Sequence, residues 1–480
     1  MGIVHLGIGA FHRAHQAAYT DAVLANNGGD WKILGVSLRS GGVRDQLHPQ
    51  DYLYTLVEMD SAGSNYRVIA AVDNVLVAPE NPQRVLDALI NANCKIISLT
   101  ITEKGYCHHP ATGRLNRRHA DIVHDLAKPL SPVSAIGFIV EALRRRRQLN
   151  TVIPTVMCCD NLPDNGTTLK RLVVEFAALT DAELAHWIER CVPFPNTMVD
   201  RIVPATQAED ISELQQHCGY RDLGMVKAER FSQWVIEDNF ASGRPAWETV
   251  GATLVSNVEP FEVAKLRLLN GAHSSLAYLG FLAGYEYVHQ VMKDTLFRQF
   301  VQRLMTREIA PTVDAPQGMD VNAYIDSLLE RFANPNLNHK TYQIAMDGSQ
   351  KLPQRLLATL AGRLAAGQSI EHMSLAIAGW VRYALAFDER GADILVQDPL
   401  ANIFATIKRN STDSADGLLD IDKLVDGFVN IEAVFGTDLP QNHQFRSRLR
   451  YWLGHILANG VATTLDIFLT GQATETSYEH

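Results

Sequence analysis

The stretch IVHLGIGAFHRAHQ at residues 3–16 decides the fold of this chain. Four residues typical of a buried strand lead into the glycine turn GIG, and a helical pattern follows at residues 14–25. Strand, glycine turn and helix in this order favour a dinucleotide-binding fold, in which Gly7 makes the tight turn and Gly9 lets a pyrophosphate approach the backbone. His12 stands at the third glycine position, so the fingerprint is incomplete and needs support from the rest of the chain.

The remainder of the first half alternates strands with helices. Strands are predicted at 33–37, 52–58, 68–75, 95–100 and 152–158, and helices at 83–93 and 134–148. This alternation predicts an α/β fold with a mainly parallel, doubly wound sheet of the Rossmann type.

Helical patterns dominate the chain from residue 167 onward. They cover 167–190 and 206–218, and they recur at 261–283, 290–308, 353–366, 371–388 and 444–459. One further strand is predicted at 252–258. We therefore expect two domains, a Rossmann-like dinucleotide-binding domain at 1–256 and an all-helical substrate and catalytic domain at 257–480.

Composition and charge exclude several classes of partner. The chain has 480 residues, of which 46% are hydrophobic and 20% charged, as in ordinary globular proteins. Its net charge of -10, from 43 basic and 53 acidic residues, disfavours nucleic acid and anionic membranes. We expect a small-molecule substrate, and the sequence leaves the oligomeric state open.

The cysteines favour a reducing compartment. Six are present, at positions 94, 107, 158, 159, 191 and 218, without a CxxC pair. Because we also find no signal peptide and no apolar stretch of membrane length, we expect a cytoplasmic protein with free thiols. Cys107, His108 and His109 are adjacent and cannot easily converge on one ion, so no metal site is expected.

A candidate reactive helix lies in EVAKLRLLNGAHSSLAYLG, residues 262–280. Lys265, Asn270 and His273 stand at i, i+5 and i+8, which on an α-helix spreads them over an arc of about 140°. A lysine, an amide and an imidazole on one arc supply a proton donor, an oxyanion partner and an orienting group for a carbonyl or an alcohol. A solvated helix face is the alternative, but leucines on several sides predict a buried helix.

Eight strings along the chain resemble the polyol-specific long-chain dehydrogenases, a family that includes mannitol dehydrogenases and fructuronate reductases. They are GIGAFHRAHQ, LYTLVE, SLTITEKGY, CDNLPDNG, FPNTMVDRIVP, QWVIEDNF, KLRLLNGAHS and QIAMDGSQKLPQR, in the family's order and at its spacing. The resemblance covers nearly the whole chain. It implies zinc-independent hydride transfer between NAD(H) and a secondary alcohol or ketone of a sugar derivative.

The resemblance also implies roles for individual residues. Lys265 resembles the family's general acid and base, Asn161 and Asn270 its oxyanion partners, and His273 a residue hydrogen-bonded to the substrate. Cofactor contacts are expected from the glycine string and from the motif beside the nicotinamide, namely Gly7, Gly9, Phe11, His12, Arg13, Asp200 and Arg201. On the residues alone, Asn161 before Leu-Pro is interpreted as a turn residue.

The cofactor preference rests on the resemblance. The second strand ends in residues 37–42, SLRSGG, which offer no acidic side chain to a ribose 2'-hydroxyl. Arg39 and Arg44 nearby leave NADP open, and NAD is favoured on family resemblance.

The substrate is predicted from the same strings. SLTITEKGY, with Lys104 after Glu103, and TYQIAMDGSQKLPQR resemble the fructuronate reductase branch. A uronate carboxylate needs a cation, which Lys104, Lys340 or Lys351 can supply through a charge-assisted hydrogen bond, with Glu103 also at the substrate. The leading function is therefore a D-mannonate/D-fructuronate oxidoreductase acting at C5.

Two alternatives stay open from the sequence. One is a mannitol 2-dehydrogenase or a related polyol dehydrogenase, and on this reading Lys104 is only a solvated loop residue. The other is a dinucleotide-binding sensor without turnover, which loss of Lys265 or Asn270 would favour, and both residues are present.

Overall fold

The chain divides into two units, Met1–Glu259 and Pro260–His480. A computed structural model describes residues 2–109, 112–316, 318–413 and 417–471. This division lies three residues beyond the boundary expected after residue 256 (259 minus 256). Near it, the backbone N–H of Val258 donates to Glu237 at 3.5 Å.

Short runs rich in β-branched and apolar residues form the strands, and all of those in the described chain belong to the first unit. They are β1 (Ile3–Leu6), β2 (Ile33–Ser37), β3 (Tyr54–Asp60), β4 (Gly63–Ile69), β5 (Val72–Val77), β6 (Ile96–Leu99), β7 (Thr155–Cys158), β8 (Thr197–Asp200), β9 (Val226–Glu229), β10 (Gln233–Glu237) and β11 (Thr253–Val255).

The main sheet has the order β5-β2-β1-β6-β7, and every neighbouring pair is parallel. All residues of β1, β2, β6 and β7 are buried, as expected for a sheet covered on both faces. The strand order reverses between β1 and β6, and dinucleotide folds bind their ligand at the carboxyl ends of the strands at such a reversal. The predicted doubly wound, mainly parallel sheet is confirmed.

Nine α-helices surround the strands in the described part of the first unit. They are α1 (Ala10–Ala14), α2 (Gln16–Asn27), α3 (Gly42–Leu47), α4 (Pro82–Ile90), α5 (Ala120–Ala127), α6 (Ala135–Leu149), α7 (Asn165–Ala178), α8 (Ala182–Cys191) and α9 (Ala208–Cys218). Short 3₁₀ turns lie at His48–Gln50, Glu103–Tyr106 and Trp247–Val250.

Some element predictions for this unit are wrong. The predicted strand 68–75 is the end of β4 and the start of β5, and the predicted helix 167–190 is α7 followed by α8, where Asp181 caps the new helix. Two small sheets, β4-β3-β9 and β11-β10-β8, mix parallel and antiparallel pairs. Their register depends on contacts between distant segments, which periodicity does not reveal.

The second unit is helical throughout its described residues, with isolated bridges as its only extended pairing there. Its α-helices are α10 (Glu259–Ala264), α11 (Ala272–Leu282), α12 (Val288–Lys293), α13 (Thr295–Arg303), α14 (Val321–Phe332), α15 (Thr341–Ala345), α16 (Gly348–Leu352), α17 (Ala358–Ala365), α18 (Glu371–Ala384), α19 (Ala401–Asn410), α20 (Ile421–Val429), α21 (Glu432–Phe435) and α22 (His443–Thr470). Further 3₁₀ turns lie at Ala310–Thr312, Pro335–Leu337 and Leu439–Gln441.

Three stretches of this unit are π-helical, at Lys265–Gly271, Leu304–Ile309 and Pro353–Leu357. The predicted helical stretch over 261–283 is confirmed, and within it a π-helical stretch separates α10 from α11. π-helical stretches are rare, and they occur frequently at functional sites.

Helices α11 and α18 form the centre of the second unit's core. Nearly all of their residues are buried, as expected for helices that are apolar on all sides. Helix α22 packs on α18 through residues such as Phe445, Leu449 and Trp452, and it is interrupted at Gly460, where φ is +75°. By length and composition alone α22 could cross a membrane, contrary to the expectation that no stretch of the chain is long and apolar enough, and 28% of its most apolar 18-residue window is buried.

Candidate functional site

The glycine turn after β1 can be made only by glycine at its first position. Gly7 has φ +92°, and a Cβ added there would lie 2.0 Å from the carbonyl oxygen of Thr100. Gly9 is exposed, and a Cβ there would meet nothing among the described residues closer than 3.9 Å. The turn therefore leaves open backbone where a pyrophosphate needs to approach, and these residues fit a dinucleotide.

His12 replaces the third glycine of the fingerprint with a ring stack. It is fully buried, and its ring lies 3.4 Å from that of His5 on β1, at an interplanar angle of 17°. The two ring nitrogens of His5 contact the hydroxyls of Ser98 and Thr100 at 2.8 and 2.9 Å. Burial lowers the pKa of His5 to about 3, so this ring stays neutral. Helix α1 thus contacts β1 through a neutral aromatic pair.

Arg13 lies in the interior of the first unit. Its guanidinium donates to the carbonyl of Gly224, and its own carbonyl accepts from the hydroxyl of Tyr54 at 2.6 Å. Phe11 is half-buried and stacks on His15 at 5.2 Å. Of the predicted cofactor residues in the string, Gly7, Gly9 and Phe11 retain exposed surface, whereas His12 and Arg13 are buried.

Asp200 ends β8 and Arg201 follows it, and both side chains are buried. The Arg201 guanidinium donates to the carbonyls of Glu229 and Ala14 at 3.0 and 2.5 Å and to the carboxylate of Glu58 at 2.7 Å. This arginine therefore joins β8 to β9, α1 and β3. Within the described structure, its role is to hold the backbone around Asp200.

Asp160 at the carboxyl end of β7 was missed by the sequence reading. Its carboxylate accepts from the backbone N–H groups of Ile101 and Thr102 at 2.8 and 3.2 Å and from the Tyr106 hydroxyl at 2.5 Å. The Asp160 carboxylate thereby connects the loop after β6 to the loop after β7, where the exposed Asn161 is the next residue. An acidic residue directly after a buried strand was the available signal.

Glu103 and Lys104 lie in the 3₁₀ turn that follows β6, and both are exposed. The turn is anchored by Tyr106, which is fully buried. The structure thus places this predicted substrate pair on the surface of the first unit.

A possible ligand set for a metal lies near that turn. Cys107, His119 and Asp121 bring one ligand atom each within 4.8 Å of one another, and the histidines adjacent to Cys107 do not belong to the group. Asp121 already pairs with Arg39 at 2.6 Å, and the Nδ1 atom of His119 accepts the Asp121 N–H at 3.2 Å. We assign no metal to this group.

The three residues of the reactive helix are brought together by the π-helical stretch. Lys265, Asn270 and His273 are each 7% exposed. Because a π-helix bonds residues five apart, Lys265 and Asn270 come onto nearly the same side, instead of about 140° apart as on an α-helix. His273 follows three residues later at the start of α11, still a neighbour on that side. The arc predicted from the sequence is thus narrower in the structure.

A second π-helical stretch packs against the first. A Cβ added to Gly271 would lie 2.9 Å from the carbonyl oxygen of Arg355, in the stretch Pro353–Leu357. The Arg355 guanidinium donates through Nη1 to the hydroxyl of Ser274 at 2.9 Å. The absence of a side chain at Gly271 therefore permits the close approach of the two irregular segments.

His273 lies among aromatic and basic side chains. Its ring stacks on Phe332 at 5.1 Å and meets His339 edge-on at 4.8 Å. Burial, together with His339 and nearby cations, holds the His273 pKa well below its usual range, and burial lowers that of His339 to about 4. Both rings are therefore neutral at neutral pH, and each can donate one N–H and accept at its other nitrogen.

The two predicted lysines of the second unit lie in different surroundings. Lys351 is half-buried, and its ammonium donates to the carbonyls of Ile344 and Met346 at 3.3 and 2.5 Å. It also contributes to the lowered pKa of His273. Lys340 is exposed and pairs with Glu286 at 3.1 Å. The structure brings Lys351 close to His273 and leaves Lys340 on the surface.

Comparison with known proteins identifies the class to which this fold belongs. Residues 1–249 match the mannitol dehydrogenase Rossmann domain, and residues 257–457 match the mannitol dehydrogenase C-terminal domain. The chain therefore belongs to the mannitol dehydrogenase family of oxidoreductases. The resemblance predicted from the eight strings is confirmed.

Individual relatives point to more than one substrate. The chain is 46% identical over 448 residues to the D-mannonate oxidoreductase of Escherichia coli K12, covering 92% of this chain and 90% of the relative. It is 44% identical over 465 residues to an uncharacterized oxidoreductase of the same organism, YdfI, covering 96% and 94%. Its fold is similar to Pseudomonas fluorescens mannitol 2-dehydrogenase in a ternary complex with NAD and D-mannitol, at TM-score 0.86 and 39% identity, covering 98% and 94%.

Proposed function

We propose that this chain interconverts D-mannonate and D-fructuronate with NAD, by hydride transfer at C5 of D-mannonate. The observation that carries the proposal is the burial of Lys265 and Asn270 in one π-helical stretch, with His273 buried just beyond it at the start of α11. The 46% identity to the E. coli D-mannonate oxidoreductase supports the choice of substrate.

The glycine turn would hold the dinucleotide. Gly7 makes the turn and Gly9 leaves the backbone open. Bound NAD+ would accept the hydride in oxidation, and bound NADH would supply it in reduction. Arg39 is paired with Asp121 at 2.6 Å and Arg44 with two carboxylates, so neither is held ready for a 2'-phosphate. These ion pairs, together with the NAD complex of the Pseudomonas relative, support NAD over NADP.

The side chains of the second unit would handle the proton and the charge. In the reducing direction, negative charge grows on the carbonyl oxygen and the Asn270 amide stabilises it. Lys265 donates the proton to that oxygen, and in the oxidising direction it removes the proton from the alcohol. Neutral His273 can hydrogen-bond a substrate hydroxyl. Asn161, fixed directly after Asp160 at the end of β7, is proposed as a second amide donor.

A polyol dehydrogenase is the second candidate function. The 39% identity and TM-score of 0.86 to a mannitol 2-dehydrogenase favour it, because that relative matches almost the whole chain. A dinucleotide-binding sensor without turnover is the third reading, and the presence of Lys265 and Asn270 counts against it.

Steady-state oxidation of NADH with a panel of ketoses tests the proposal. The panel contains D-fructuronate, D-tagaturonate, D-fructose and D-xylulose at matched concentrations. We expect the highest kcat/KM with D-fructuronate. A preference for D-fructose would move the assignment to a polyol dehydrogenase, and NADH binding without turnover of any ketose would favour the sensor.

We also propose that the protein works in the cytoplasm. All six cysteines are unpaired in the structure, four of them buried, and Cys191 is exposed as a free thiol. Such thiols persist in a reducing compartment. Localisation of a tagged full-length chain by cell fractionation tests this proposal.

A further inference from the structure

A group of basic side chains surrounds the reactive helix on the side of His273. Three of their nitrogen atoms are out of solvent and have no hydrogen-bond partner among the described residues: Nε2 of His273, Nδ1 of His339 and Nε of Arg355. Buried polar atoms are usually satisfied, so three such atoms in one neighbourhood are a signal of a missing ligand. Arg355 is the last residue of the string QIAMDGSQKLPQR, in which the resemblance gives it no role, and His339 lies outside the eight strings.

Arg355 is held in place at one end of its guanidinium. Its Nη1 atom donates to the Ser274 hydroxyl at 2.9 Å. The backbone carbonyl of Arg355 packs against Gly271. Ser274 is the residue directly after His273 on α11, so this bond positions the guanidinium beside the reactive helix. The Nε edge has no partner in the described structure, and a guanidinium can bind a carboxylate along that edge with two parallel hydrogen bonds.

Basic side chains surround the His273 ring. After burial, the groups that most depress the His273 pKa are His339, Arg355, Arg331 and Lys351, all of them basic. The Nε atom of Arg355 is out of solvent without a partner among the described residues, and a cation removed from solvent is costly unless an anion or a set of acceptors compensates it. Arg355 therefore favours an anionic ligand.

We propose that Arg355 binds the carboxylate of the sugar acid through its Nε edge, with His339 as a second hydrogen-bond partner and Lys351 adding positive charge. This inference rests on the proposed function, because it takes the Lys265 end of the helix as the place of the reacting carbonyl. It moves the carboxylate from Lys104 and Lys340, which are exposed, to a half-buried arginine whose Nε atom is out of solvent. A neutral ketose has no group that compensates Arg355 in the same way.

Equilibrium binding separates this inference from the proposed function. Titration calorimetry with D-mannonate and D-mannitol is carried out on the full chain saturated with NADH, which cannot accept a hydride from either ligand. The variants are Arg355→Gln, which removes the charge, and Arg355→Lys, which keeps the charge and removes the planar fork. Arg298→Gln, at an exposed arginine of the same unit, is the matched control.

We expect Arg355→Gln to weaken D-mannonate binding by roughly ten- to a hundredfold and D-mannitol binding by less than about threefold. Arg355→Lys should fall between wild type and Arg355→Gln, and Arg298→Gln should match wild type. If wild type prefers D-mannonate and both ligands weaken equally in Arg355→Gln, the arginine is structural and the inference is overturned.

Two further outcomes are distinguishable from this one. A wild-type preference for D-mannitol would overturn the proposed function together with the inference. If Arg355→Gln does not melt cooperatively, binding is measured with His339→Phe instead. This variant keeps the aromatic contact with His273 and removes the Nδ1 atom of His339. His339→Phe should weaken D-mannonate selectively, and equal binding of D-mannonate by His339→Phe and wild type would contradict the proposed site.

Discussion

The glycine turn of the first unit and the Lys265 helix of the second carry the two candidate sites, and they are specified over different distances along the chain. The turn's conformation is encoded within a few residues, because glycine readily adopts the φ of +92° found at Gly7 and other residues do not. The helix depends on a partner more than eighty residues away, since its π-helical stretch packs on the carbonyl of Arg355 through Gly271.

Because of this difference, we expect cofactor binding and catalysis to respond differently to substitution. A local turn can be kept intact while the side chains around it change, as His12 shows by replacing a glycine with a ring stack. A reactive group that depends on two packed π-helical segments tolerates less, because a small shift of either segment moves Lys265 relative to Asn270. We therefore expect substitutions in the turn to act on folding and cofactor affinity, and substitutions in the helix to act on kcat.

The largest effect is expected from Gly7→Ala. The added Cβ would overlap the Thr100 carbonyl oxygen at 2.0 Å, and alanine disfavours φ +92°. Two buried parallel strands hold these atoms, so we expect a loss of about 3 kcal/mol or more in unfolding free energy, measured by chemical denaturation.

Gly28→Ala is the matched control for that loss. Gly28 also has positive φ, +67°, but an added Cβ would meet nothing within 4 Å. It should cost only about 1 kcal/mol. Equal losses in the two variants would show that the Thr100 contact adds nothing to the cost of a positive φ at Gly7.

Lys265→Ala tests the other region. We expect kcat to fall by about a hundredfold or more, because general acid and base catalysis contributes at least that much, while the NADH dissociation constant stays nearly unchanged. Stopped-flow reduction and NADH fluorescence titration measure the two quantities. Arg267→Ala, in the same π-helical stretch, serves as the control and should retain most of kcat. A Lys265→Ala enzyme with more than a third of wild-type kcat would refute the assignment.

A smaller effect is expected from Gly271→Ala, which perturbs the packing between the two π-helical stretches. The added Cβ would lie 2.9 Å from the Arg355 carbonyl, so one segment must shift by a few tenths of an ångström. We expect a loss of about tenfold in kcat with little change in NADH affinity. Gly362→Ala is the control, since this helical glycine has nothing within 4 Å of an added Cβ. An unchanged kcat in Gly271→Ala would separate the π-helical packing from catalysis.

The sequence predicted the parts of this molecule that local patterns encode. The strand and glycine turn at residues 3–9 and the parallel order of the main sheet follow from apolar runs and turn chemistry, and the structure confirms them. The spacing i, i+5 and i+8 grouped Lys265, Asn270 and His273 on one helix, and the family resemblance implied a role for each. Their roles in catalysis remain predictions.

What the sequence could not predict depends on distant contacts. The π-helical stretch at Lys265–Gly271 has the composition of an ordinary helix, and nothing within it indicates that Arg355 packs against it. In the sequence, Asp160 is an ordinary acidic residue of a loop. Its importance follows from the backbone N–H groups of Ile101 and Thr102, in the loop after β6, which donate to its carboxylate. Lys104 follows a strand and resembles a substrate residue in its string, whereas burial distinguishes it from Lys351.

The smallest effect is expected from Lys104→Gln. This variant tests whether the substrate carboxylate is bound by the first unit, through Lys104, or by the second unit, near His273. Lys104 is exposed, and ionic contacts of exposed lysines are screened and are worth about 1 kcal/mol or less. We expect its kcat/KM for D-fructuronate to fall by less than about threefold, against roughly tenfold for Lys351→Gln, whose lysine lies beside His273. D-fructose as the second substrate controls for general damage, because loss of a carboxylate contact leaves its turnover unchanged. A tenfold loss confined to D-fructuronate in Lys104→Gln would return the carboxylate to the first unit and count against the basic group around Arg355.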